Sequence, residues 1–126
     1  MMAERNVFLS YAMTDRPLVE KVVRKLQLLG TQVASDEQLR AGEPWGEELK
    51  RKIAASEAFV VLVTPTTFDS PWVLQELGAA WALNKPIIVV LSDRRLFDRL
   101  PLDLTRARAI TLDEVDRLEE VFGSAA

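Results

Sequence analysis

The chain has 126 residues, of which 48% are hydrophobic and 28% charged, and a net charge of −3. That suits about one domain with a sizeable core, and it leaves no broad positive footprint for direct nucleic-acid binding. Cysteine and histidine are both absent, which excludes disulfides, thiolate nucleophiles, imidazole bases and the commonest zinc ligands, so no metal is expected.

In chain order, Val7-Phe8-Leu9 begins a short apolar strand ending at Ser10-Tyr11. The opening MMAERNVFLSYAM has no long apolar leader segment, and no run reaches the roughly 18 apolar residues of a membrane span. A cytoplasmic protein without membrane contact is expected. Leu18, Val22, Leu26 and Leu29 recur at helical spacing, and Gly30 stands where a helix stops. Thr31 to Ser35 reads as a short edge strand, followed by a polar loop from Asp36 to Glu43 and a helix opened by Pro44 that carries Leu49 and Ile53.

AFVVLV (58–63) and PIIVVL (86–91) are continuous apolar runs, the pattern of parallel strands covered on both faces. Between them Ser70 and Pro71 suit the N-cap and first position of a helix. At about 100° per residue, Val73, Leu74, Leu77, Ala80 and Trp81 form its apolar face, with Trp72 and Glu76 together at the margin. Trp81 is expected in the core. The tail reads as an irregular or briefly helical stretch over 93–104, a last strand over 107–111 and a helix over 112–122.

Alternating strands and helices predict an α/β fold, a flavodoxin-like five-stranded parallel sheet of order 2-1-3-4-5 with helices on both faces. A ligand is expected at the carboxyl ends of strands one and three, near Ser10-Tyr11, 36–45 and 64–72. The five glycines form neither common phosphate-binding motif. A receiver domain of two-component signalling shares this size and fold. It needs acidic residues where this chain has Tyr11-Ala12-Met13, and an aspartate where it has Thr64-Pro65-Thr66.

VFLSYA (7–12), D-x-x-L-x-x-G (36–42), WGEEL (45–49), I-x-x-S (53–56), FVVLVTP (59–65) and SPWVLQELGAAW (70–81) stand in an order that resembles a Toll/interleukin-1 receptor (TIR) domain of prokaryotic, NAD-cleaving type. The resemblance runs from about Val7 to Leu91, with one domain expected over 1–126 and its core at about 6–92. It implies an NAD nucleosidase, a hydrolase that cleaves the nicotinamide–ribose bond to give nicotinamide and ADP-ribose or a cyclic variant. NAD is then the substrate, and no cofactor is needed. It also implies activation by TIR–TIR self-association through the loop after strand two, and a role in antiphage defence or as an effector. Such a domain is naturally joined to a sensor or effector domain or protein.

The resemblance carries the catalytic role to Glu76, in the S-x-W-x-x-x-E segment formed with Ser70 and Trp72. Nicotinamide on ribose leaves without a general acid because its departure removes a positive charge. A carboxylate that holds the ribose hydroxyls and stabilises an oxocarbenium-like transition state is then the main requirement. Trp72 can stack on the pyridinium. Ser10, Tyr11, Asp36, Arg40, Gly42 and Trp45 are the other substrate-binding candidates, together with Ser70. Ala12-Met13-Thr14 replaces the basic residues some catalytic relatives carry there, leaving Arg40 or backbone amides to meet a diphosphate. Two rival readings stand beside this one: a non-catalytic interaction module in which Glu76 is incidental and the loop Asp36 to Trp45 supplies the binding surface, and a nucleoside-processing transferase. The plain structural alternative for Glu76 is a surface glutamate pairing with Lys85 or a neighbouring helix.

Overall fold

The computed structural model describes the backbone over 5–35, 45–104 and 106–125, and side chains within 5–35, 46–104 and 106–121. Among the described residues the elements follow in order: β1 (Arg5–Ser10), α1 (Arg16–Leu28), β2 (Thr31–Ala34), α2 (Trp45–Ala55), β3 (Ala58–Val63), α3 (Pro71–Ala82), β4 (Ile87–Leu91), β5 (Arg108–Thr111) and α4 (Leu118–Ala125). Short 3-10 segments join several of them, at Met13–Asp15, Pro65–Asp69, Arg94–Arg99 and Leu112–Arg117. The strands form one all-parallel sheet of order β2-β1-β3-β4-β5, as the alternating pattern predicts.

Period-two alternation divides the strand side chains between two cores. Phe8, Phe59, Val61, Val63, Val89 and Leu91 pack under α2 and α3, and Phe8 stacks on Phe59 with ring centroids 5.8 Å apart. Val7, Leu9, Val60, Leu62, Ile88 and Val90 pack under α1 and the carboxyl-terminal segment. All of β3 and β4 is buried, which is why their sequences are unbroken apolar runs. Gly30 adopts φ +78°, a left-handed conformation that costs glycine little, and ends α1 as its spacing indicates.

Apolar positions on two helices depart from expectation. Leu18 is 42% exposed: α1 buries Val22 and Leu26 as expected, but Val19 takes the place of Leu18. Trp81 is 46% exposed rather than in the core, its indole Nε1 donating to the Asp103 carbonyl at 3.1 Å. The tail also differs: the 112–122 helix begins as a 3-10 segment and becomes α-helical only at Leu118.

Thr31 Oγ1, at the start of β2, is buried and has no hydrogen-bond partner among the described residues. An unmade hydrogen bond leaves its full desolvation cost. Thr31→Val, nearly the same shape and equally suited to a strand, is expected to raise stability by about 1 kcal/mol, read as a higher midpoint in urea unfolding. A lower midpoint would mean that the hydroxyl is engaged.

Candidate active site

β1 and β3 are neighbours although α1, β2 and α2 intervene in sequence, so their carboxyl ends form the switch point of the sheet. α3 starts just beyond β3 and runs back across one face. Helical Cα–Cβ bonds tilt towards the amino terminus, so the Glu76 side chain reaches back towards the strand ends. Ser10, the last residue of β1, meets it there: Ser10 Oγ donates to Glu76 Oε1 at 2.6 Å. Glu76 is fully buried and Ser10 nearly so.

The burial of Glu76 corrects its expected place at the helix margin. Leu74 is only partly buried and Trp81 is half-exposed, so the buried face comprises Val73, Glu76, Leu77 and Ala80. Without those two residues its centre turns by roughly 35° towards Glu76. Lys85 is not its partner. The ammonium donates to the carbonyls of Ala54 at 2.6 Å and Ser56 at 2.9 Å, at the end of α2.

Trp72 is 38% exposed on the first turn of α3. Ser70 occupies the N-cap position but makes no side-chain cap, and Pro71 fills the first turn. Tyr11 does not join Ser10. Alternation turns it to the opposite face, buried beside a groove of about 760 Å³ lined by Leu9, Arg16, Val19, Thr31 and Val33. Trp45 is the first residue of α2, and its side chain lies outside the described residues, as do Asp36, Arg40 and Gly42 altogether. A second groove, about 590 Å³ beside Trp81, Lys85, Asp103 and Arg108, sits at the amino ends of β4 and β5, the far end of the sheet from Glu76.

Asp15 carries no site signal in the sequence, and Thr64 is marked there only as part of the 64–72 strand-end region. Asp15, buried at the end of the β1–α1 connection, accepts a hydrogen bond from Thr64 Oγ1 at 2.6 Å, beyond β3. Thr64 also accepts from the Thr66 amide, and its own amide donates to Thr67 Oγ1. Further round the rim, Arg99 stacks over the Phe68 ring at 4.2 Å. Hydrogen bonds from Arg95 lower the exposed Asp93 carboxyl to about 2. Its contribution to stability is thus complete above 3.8 and lost as pH falls through about 2.

A family model described as TIR domain matches residues 7–121. No curated protein matches the chain. Among solved structures, the chain resembles the TIR domain of the Toll-related receptor TRR-2 from Hydra magnipapillata, with a TM-score of 0.67 at 21% identity over 94% of this chain and 92% of that one. It is similar to the Clostridium botulinum CMP N-glycosidase BcmB, with a TM-score of 0.60 at 21% identity over 91% and 99%. It also resembles the TIR domains of the activated Roq1 resistosome that recognises the pathogen effector XopQ, at 0.59 and 22% identity over 96% and 82%. At these identities the solved structures establish the fold alone.

Proposed function

Because the chain belongs to the TIR domain family, we propose that it is one of the enzymes of that family, cleaving the nicotinamide–ribose bond of NAD with Glu76 as the essential carboxylate. The observation that carries this reading is the buried Ser10–Glu76 pair at the carboxyl end of β1, beside the switch point of the sheet. A hydroxyl donor holds one carboxylate oxygen in a fixed orientation, so little reorganisation is left for the moment when positive charge develops on the ribose. Similarity to a CMP N-glycosidase supports the same reaction type, departure of a base from a ribose carbon. Water, or a nucleophile within the substrate, then captures the cation, giving a linear or a cyclic product.

Glu76 is covered in the described conformation, so turnover requires a step that admits the ribose. Self-association is the step we assign, and likeness to the TIR domains of an activated resistosome supports it. The same coverage favours, as a second reading, an interaction module that never opens.

The substrate is tested by offering NAD, nicotinamide mononucleotide and CMP to the concentrated protein and separating the released bases. Nicotinamide from NAD is the expected product. Faster release from nicotinamide mononucleotide, or of cytosine from CMP, would replace the dinucleotide with a mononucleotide. No base from any of them would favour the interaction module.

A further inference from the structure

We infer that Asp15 is a positioning residue for Glu76, acting through Thr64; the inference rests on the reading of Glu76 as the reacting carboxylate. Asp15 occupies the N-cap position of α1, where an aspartate normally accepts a hydrogen bond from the first turn of its own helix. It makes no such cap. Its carboxylate turns instead to Thr64, 49 residues away, in a buried bond of 2.6 Å. A hydrogen bond to a carboxylate is about twice as strong as one between neutral groups, and here it ties two segments 49 residues apart instead of capping its own helix.

Beyond Thr64 the bonds run directly to α3. Thr64 and Thr67 close a reciprocal capping box on the Pro65–Asp69 segment. Thr67 Oγ1 also donates to the Leu62 carbonyl, which fixes the segment to the end of β3. The Thr67 carbonyl accepts from the Ser70 amide, where α3 begins. Glu76 then bonds back to Ser10, five residues before Asp15 along the chain. The contacts form a closed ring: β1 end, Asp15, Thr64, Thr67, α3, Glu76 and β1 again. β1 and the connection after it thus hold α3 at two points, Ser10 at the carboxylate and Asp15 through the turn that launches the helix. A buried tie at the second point sets the height of α3 along β1, and so the length of the Ser10–Glu76 bond.

The test combines kinetics with hydrogen exchange on Asp15→Asn, Asp15→Ala, Thr64→Val and Thr64→Ser, assayed well below each variant's melting temperature. In Asp15→Ala and Thr64→Val, kcat is expected to fall 10- to 100-fold with KM for NAD within about twofold. Asp15→Asn, which keeps an acceptor without the charge, should fall between these and wild type. Thr64→Ser, which keeps the hydroxyl, should match wild type. The Asp15→Ala/Thr64→Val double variant should be no worse than either single one, because the two act through each other. Amides over 66–76 should exchange at least tenfold faster in Asp15→Ala, while those of β3 and β4 stay protected. Unchanged exchange over 66–76, additive losses, or a loss confined to KM would overturn the inference. If wild type cleaves no N-ribosyl substrate, the function proposed above fails, and the exchange experiment alone decides whether Asp15 positions α3.

Discussion

Glu76→Gln is expected to lower nicotinamide release at least about 10³-fold, equivalent to about 4 kcal/mol of transition-state stabilisation, while the protein remains folded. Glutamine keeps the length and volume of the side chain, and its carbonyl oxygen still accepts from Ser10 Oγ, which now lies 2.6 Å from Oε1. What disappears is the negative charge. In a site closed to water, charge opposite an oxocarbenium-like centre is the dominant contribution, whereas the neutral amide supplies only a dipole. Stability moves the other way or not at all. A buried carboxylate is costly to desolvate, and an amide in its place is cheaper. Unfolding in urea is therefore expected to show a midpoint equal to or above that of wild type. Loss of turnover together with loss of fold would mean that Glu76 is needed for packing rather than chemistry.

Ser10→Ala carries the second-largest expected effect, and here both quantities fall. The substitution removes the donor that holds Glu76 Oε1 and leaves a buried carboxylate less satisfied, a loss of about 1.5–3 kcal/mol in stability. Turnover is expected to fall about 10- to 100-fold, less than for Glu76→Gln, because the charge survives while its orientation relaxes. KM should change little, since Ser10 is spent on the carboxylate rather than on the nucleotide. The comparison of the two variants by steady-state kinetics and urea unfolding separates charge from orientation. A Ser10→Ala enzyme with raised KM and unchanged kcat would instead place Ser10 on the substrate.

The fold was readable because burial writes itself into these strands. AFVVLV and the IIVVL of β4 have no polar position, and no polar position is what a central parallel strand requires. Gly30 and Pro71 marked helix boundaries through backbone constraints that hold regardless of tertiary context. The site was legible in part. Glu76 stands out in the sequence, but its burial does not, because the apolar spacing includes Leu74 and Trp81, which tertiary packing leaves partly open. The separation of Ser10 from Tyr11 was available from strand alternation alone, which sends consecutive side chains to opposite faces. Asp15 and Thr64 were not available in that way. Asp15 before Arg16-Pro17 signals a helix start and nothing more, and a bond between residues 49 apart is a product of the sheet order.

The most direct test of a Glu76-dependent NAD-cleaving enzyme is nicotinamide release from NAD, followed by chromatography as wild-type protein concentration is raised, with Glu76→Gln as the blank. The account predicts release by wild type alone, with specific activity rising as the protein assembles. Equal release from both proteins would place the chemistry elsewhere. Silence from both at every concentration, including under crowding that forces association, would contradict the enzyme and leave the interaction module.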